Sequence, residues 1–570
     1  MSFGSLHIGL TGVLGHQSAL TTIGHNLTNM NTEGYNRQRV VFASNQALRT
    51  TTLQFGQGVN ISEIQRIHDE YLQSTIRNTL TKTGEMSAKD FSYQEIEMLF
   101  NETDGLGLND AMTKFWNSWS DLANSPTDTS AEAASKRSNV VQSTEYLINT
   151  IKTTRSDLEH MQTQASTRIT SMVGDVNAML DSLASLNTQI GKMGAMGNPS
   201  FDLLDKRDNL LNELASLIEI NVDVTPDGQA AVFFAGKTLV DRSHASKLQH
   251  QITGNSEGKL LYVGPNYTED ITQRVTSGKI GAYLEVRDKM IPGYVDKIDE
   301  LASGLIQTVN KAHSSGLVTQ PFGAVSTQYF PSNSRTQLNQ SNIPFPIQNG
   351  SFQMKIFGPN GEEVGTHEIR VNATDSLHSL AVRMDGIDGL SEGGQFSVRI
   401  NNQNQMEIQG MNGHTFAFFN DSSNALVALG LNTFFTGNDS RNIDINSYVK
   451  HDASKLATSI TGQPGDNQNA NVIAELRNSL AMSKGSVTFD EFYNSFVGKV
   501  GLDTLMNRDS LEANAMVAQQ LNLRRESFSG VNENEELTNM LKFQRAFEAS
   551  ARFITTIDGL LDKIVNQMGR

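Results

Sequence analysis

Cysteine is absent from the 570-residue chain. That excludes disulfides and thiolate metal sites, and it leaves the redox compartment undetermined. Long apolar runs are absent too: none approaches the length a bilayer-spanning helix needs, so membrane insertion is not expected. The first 32 residues hold no Lys, Arg, Asp or Glu. There is thus no basic n-region, and an ordinary cleaved secretory signal is not expected. Basic charge is in short supply, with 45 Lys and Arg against 61 Asp and Glu and a net charge of −16. A surface of that sign does not suit nucleic acid. What remains is a chain long enough for several domains, each with its own core.

Both ends carry apolar residues at every seventh position. Leu6, Val13, Leu20 and Leu27 do so at the start, and Met540, Phe547, Ile554, Leu561 and Met568 at the end. A seven-residue repeat keeps one apolar seam on one side of a helix, so each end reads as a strand of a coiled coil. These residues are the candidate assembly seam. Asn532 with Glu535 forms a capping box, and Glu533, Glu535 and Glu536 suit the positive end of a helix dipole. Gly9, Gly12, Gly15 and Gly24 weaken the first helix as an isolated element. Both ends are therefore expected to gain their order from neighbours that cover them.

Residues 38–66 alternate apolar and polar positions around Gly56 and Gly58, the pattern of a hairpin or extended arm. Phe115, Trp116, Trp119 and Leu122 share one helix face, as a core stripe does. From Ser130 to Met193 there is no proline, and Gly174 and Gly191 are the only glycines. Ile151, Leu158, Ala165, Met172, Met179, Leu186 and Met193 keep a seven-residue spacing there. That predicts one helix of about 60 residues, about 90 Å long, and a rod-like bundle. Asp202 to Leu211 brings three carboxylates and two bases within seven residues, which reads as a solvated helix face with internal ion pairs.

Further on, Ile220 to Val275 reads as short strands, Pro292 to His313 as helix, and Gly316 to Phe435 as β-rich. Phe489 to Arg525 reads as long return helices. The expected fold class is α+β multidomain: terminal helices forming a coiled-coil or helical-bundle rod, with β-rich domains inserted mid-chain. The expected domains are 1–37 with 531–570 as the terminal assembly part, and 38–220 with 276–315 and 437–530 as the helical rod. A small β-rich element over 221–275 and an inserted β-rich outer part over 316–436 complete the chain.

No motif carries chemistry in its required context. Gly254-Asn255-Ser256-Glu257-Gly258 has the letters of a nucleophile elbow, which needs a helix after the serine. Lys259 to Val263 reads as a strand instead, so a hairpin loop is expected. His367-Glu368 begins like H-E-x-x-H, but Val371 stands where the second histidine is needed. His244 and His250 are too far apart for one helix turn and read as surface residues. No catalytic, metal or cofactor site is expected, and the chain is not expected to be an enzyme.

Asn26-Leu27-Thr28-Asn29-Met30-Asn31-Thr32-Glu33-Gly34-Tyr35-Asn36-Arg37-Gln38 resembles the N-terminal motif of the bacterial flagellar axial proteins, the rod, hook and hook-associated subunits. Glu535 to Met540, with Phe543-Gln544-Arg545-Ala546-Phe547, resembles their C-terminal motif. Met30 and Glu33 depart from the pattern, where that family usually has alanine and proline. Asp202 to Leu211, Gly278 to Leu284 with Arg287-Asp288, and Val309 to His313 are similar to stretches of its hook-associated members.

The resemblance implies that the terminal helices pair and line the channel of a tubular assembly formed by self-association. It also implies hook protein and hook-associated or filament protein as neighbours, and an export chaperone as escort. Export would run through the flagellar export apparatus, without a cleaved signal, to an extracellular place in the flagellum. The implied role is a structural subunit joining hook to filament. A hook protein is the alternative within the family, and an extracellular hydrolase on a helical stalk the alternative outside it.

Overall fold

The computed structural model describes residues 2–46, 48–49, 54–100, 107–124, 130–197, 199–254, 257–386, 394–463 and 465–563. Met568 and Ser256 lie outside the described residues. In chain order the helices are α1 (Ser2–Asn29), α2 (Glu70–Phe100), α3 (Leu108–Ala123), α4 (Ala131–Ala195), α5 (Phe201–Leu217), α6 (Gly278–Glu285) and α7 (Ile291–Ser315). They continue with α8 (Leu377–Asp385), α9 (Ala425–Leu429), α10 (Ser447–His451), α11 (Gln468–Glu475), α12 (Phe489–Ser529) and α13 (Glu533–Asp562). Small antiparallel sheets accompany them, so the chain is α+β and multidomain. It divides into two compact units. The first comprises Met1–Phe91, Gln164–Arg287 and Met506–Arg570, and the second Ser92–Thr163 and Asp288–Leu505.

In the first unit α1 and α13 run antiparallel, and the strands Gln38–Ser44 and Val59–Arg66 form an antiparallel pair packed on α1. The unbroken α4 follows from the absence of proline, and its buried line keeps the sevenfold spacing through Ile151, Leu158 and Ala165 but not beyond. Within this unit Met172, Met179 and Leu186 are only half-buried, and Ile169, Val173, Val176, Leu180, Leu183 and Ile190 are buried instead. Ile169 and Leu180 stand eleven residues apart, the spacing of a helix wound at 3.67 residues per turn rather than 3.5. A sheet of Ile220–Val224, Ala230–Phe234, Lys237–Asp241 and His244–Ala245 lies against this stretch. The Asn187 amide donates to the carbonyls of Ala230 (2.8 Å) and Arg242 (2.9 Å) and accepts from Ala230 N (2.9 Å). Ten residues earlier, Asn177 makes the same two-way bond to Leu248. Paired amides on one helix thus satisfy strand ends that would otherwise be buried unbonded.

The second unit has its core at α3. Phe115, Trp116, Trp119 and Leu122 are all buried, as their common face predicts. Trp119 meets Phe434 edge-on at 5.4 Å, and Trp116 lies 5.7 Å from Phe489. The Asn310 carbonyl accepts from the backbone of Phe434 (3.0 Å) and Phe435 (2.7 Å). His313 bridges Asn432 O (2.8 Å) and Ala457 N (3.0 Å), which requires a neutral ring protonated on Nδ1. The stretch from Val309 to His313 therefore serves as buried polar ligature, tying α7 to the segment Asn432–Phe435. Two three-stranded sheets fill the region between Ala324 and Phe419.

Candidate assembly site

The pairing of α1 with α13 is made by small residues. A Cβ placed on Gly9 would stand 2.5 Å from Ile554 Cγ1, and one on Gly12 would stand 2.7 Å from Ser550 Oγ. Gly15 lies under the Phe42 ring, which stacks at 5.8 Å on Phe543 of α13. The buried face of α1 is accordingly Gly9, Gly12, Gly15, Ala19, Thr22, Ile23 and Asn26. Glycine and alanine do not register in apolar periodicity, although their spacing of three and four residues was there to be read. The glycines are therefore positions of close approach.

The seam residues Leu6, Val13, Leu20, Leu27, Met540, Phe547, Ile554 and Leu561 are all half-buried. Of these, Ile554 stands in the close contact itself, against Gly9. Around them large apolar side chains stand open: Leu10 at 49 % exposure, Leu14 at 54 %, Leu541 at 57 % and Leu560 at 52 %. Each of these four leucines leaves apolar surface on the helix pair that a lone chain does not cover.

At the base of the pair the two terminal motifs interlock. The Asn26 amide donates to Gln38 O (2.9 Å) and to the buried Glu536 carboxylate (3.3 Å), and its oxygen accepts from Tyr35 OH (2.8 Å) and Gln38 N (3.0 Å). All four hydrogen-bonding capacities of one amide are thus used to join α1, the following loop and α13. Burial pushes the Glu536 carboxyl up, and burial with Asp202, Asp205 and Glu536 nearby pushes the Tyr35 phenol up, so the phenol stays protonated. Arg37 donates through its backbone to Ser529 O (2.9 Å) and through its guanidinium to Glu535 (3.0 Å). The expected capping box is therefore half made. Asn532 accepts from Glu535 N at 3.2 Å, but the Glu535 carboxylate turns to Arg37. Gly34 adopts φ +75°, with the Asn209 side chain where a Cβ would sit.

The Asp202–Leu211 stretch departs from its sequence reading. Asp202 and Lys206 face solvent, but Asp205, Arg207 and Asp208 are buried. Asp205 accepts from Asn36 Nδ2 (2.6 Å) and Arg66 Nε (2.8 Å), while Asp208 accepts from Arg66 (2.6 Å) and Arg207 (2.6 Å). These ion pairs join α5 to the motif loop and the hairpin, links that no spacing within the stretch could reveal. Burial works to raise the Asp208 carboxyl, but the Arg207 and Arg66 guanidiniums outweigh it and hold it below the usual range. Nearby, burial raises Glu70, and its hydrogen bonds to His68 and Arg77 outweigh that and bring it to about 2.

The other singled-out residues stand apart from this site. His367 lies in the strand Glu363–Val371 opposite Met354. His250 is locked between Thr170 Oγ1 (2.8 Å) and Arg287 Nη1 (2.9 Å), a structural rather than a free surface histidine. Among the described residues no group of three or more His, Cys, Asp or Glu could hold a metal ion, and no helix is long and apolar enough to cross a membrane.

Residues 93–327 match the family described as flagellar hook-associated protein FlgK helical domain, and residues 525–568 match flagellar basal body rod FlgEFG protein C-terminal. The chain is 26 % identical to flagellar hook-associated protein 1 of Salmonella typhimurium, over 98 % of each chain. It is 26 % identical to the protein of that name from Bacillus subtilis, over 97 % of this chain and 96 % of the other. Its fold is similar to a solved structure, the flagellar hook junction protein FlgK from Burkholderia pseudomallei, with a TM-score of 0.53 and 13 % identity over 80 % of this chain and all of that one. A model of a hook-associated helical domain, a model of a rod-protein C-terminus and relatives aligned over nearly the whole chain thus agree that the chain is similar to the flagellar hook-associated proteins.

Proposed function

We propose that the chain is a structural subunit that joins the hook to the filament, assembling through its paired terminal helices. The observation that carries this reading is the interlocked base of the two terminal motifs, from which α1 and α13 project a partly uncovered apolar surface. Burying a leucine is worth roughly 1.5–3 kcal/mol, so covering Leu10, Leu14, Leu541 and Leu560 gives neighbouring subunits a substantial reason to pack there. Copies of the chain, hook protein below and a hook-associated or filament protein above are the partners, with an export chaperone before assembly. Export proceeds through the flagellar export apparatus, and the site of action is outside the cell. The chain acts by packing and torque transmission, not catalysis. Adding the purified protein to isolated hooks should cap them and then permit filament growth. Hooks that stay bare, or caps on which no filament grows, would refute the reading.

A further inference from the structure

We propose that a polar cavity at the base of the terminal helix pair receives Arg545 and Arg552 of a second copy of this chain, an inference that rests on self-assembly as proposed above. The cavity holds about 700 Å³ and lies between the motif loop, α2, α5 and the end of α12. Glu33, Glu213 and Glu526 line it against a single guanidinium, that of Arg525. None of these four groups is in an ion pair among the described residues, and the three carboxylates are on exposed residues. The Asn212 side-chain oxygen, also in the lining, is buried without a hydrogen-bond partner. Three carboxylates without an ion-pair partner ask for a cationic donor. A guanidinium suits them, because its planar fork bonds carboxylates in pairs.

This chain carries such donors on an open face. Arg545 and Arg552 stand seven residues apart, on one side of α13, and both are exposed. Neither has a carboxylate within ion-pair distance among the described residues, and Glu548 between them leaves the strip net positive. The same chain cannot bring them to its own cavity. At 1.5 Å per residue Arg545 lies about 18 Å and Arg552 about 28 Å along α13 from its first residue, next to which the cavity opens. A second copy, shifted along the helix pair, can. Such a contact joins two different patches, so it does not close on a pair of copies but continues into rings or helices. That is the geometry of a tube.

Charge reversal tests this in the full-length chain. Glu213→Lys with Glu526→Lys, and separately Arg545→Glu with Arg552→Glu, should each weaken self-association by roughly tenfold or more. Combining all four should restore it, read by sedimentation and by hook capping. The four residues are not buried, so thermal unfolding should stay unchanged. Should a reversal misfold, Glu213→Gln with Glu526→Gln takes its place and must also weaken association. Reversed variants that associate like the wild type, or a combined variant no better than its parents, would overturn the proposal while leaving the junction reading intact. A wild-type chain that neither self-associates nor caps hooks would overturn both.

Discussion

Gly9 and Gly12 are where one added methyl group decides whether α1 and α13 can pair. A side chain at Gly9 would meet Ile554 at 2.5 Å, inside any normal contact, and the helices would have to part. Gly9→Val should abolish amide protection across α1 while leaving the unfolding of the remaining chain in place; wild-type protection in the variant would contradict the close approach. Asp208 is decisive in another way, since it is the shared acceptor of Arg66 and Arg207. Removing one member of a buried ion cluster leaves its partners' charges uncompensated, at a cost of about 3–5 kcal/mol. Asp208→Asn should lower the urea midpoint accordingly, and a loss under about 1 kcal/mol would show the cluster to be well solvated. His313 supplies a pH dependence. Burial holds its ring neutral, with a pKa of about 4 against an ordinary 6.5. The unfolded chain therefore takes up the proton first as pH falls. The stability is whole above 6.5 and declines toward 4, by on the order of 3 kcal/mol across that window. His313→Gln should flatten this part of the stability profile. A wild type whose unfolding midpoint does not fall between pH 7 and 4 would contradict the buried neutral ring.

Elements differed in how much of them the sequence disclosed. The aromatic stripe of α3 was readable because four large side chains on one helix face have few other uses, and the long α4 because nothing in it breaks a helix. The α4 seam holds at Ile151, Leu158 and Ala165 and fails from Met172 on, where apolar letters at seventh positions coexist with a buried line of eleven-residue period and only the packed partners choose between them. Asp205, Arg207 and Asp208 look solvated in the sequence because burial of charge depends on Arg66 and Asn36, far away along the chain. The small face of α1 was invisible to a search for apolar side chains, and the interlocking of Asn26 with Glu536 joins residues 510 positions apart. At the β-rich insert, Phe434 and Phe435 are wholly buried against the α3 aromatics. Cutting out Gly316 to Phe435 removes that packing and the His313 acceptor on Asn432. This deletion should therefore unfold the second unit, since each lost core phenylalanine costs about 3–5 kcal/mol. Cooperative unfolding of both units in the deleted chain would show that those contacts are dispensable.

In the molecule as a whole, what folds the chain is separate from what assembles it. Core burial at α3 and the ion cluster at α5 hold each unit together. The terminal pair instead keeps its seam half-covered and its outer leucines exposed. An aspartate on that pair should then leave folding nearly untouched and remove the apolar surface that neighbours bury, adding the cost of desolvating a charge. The most direct measurement is electron microscopy of isolated hooks incubated with wild type, Leu20→Asp or Phe547→Asp, each chosen for an unchanged thermal midpoint. The account predicts capped hooks that go on to bear filaments with wild type, and bare hooks with both variants. Normal junctions from either variant would contradict the claim that the terminal helices drive assembly.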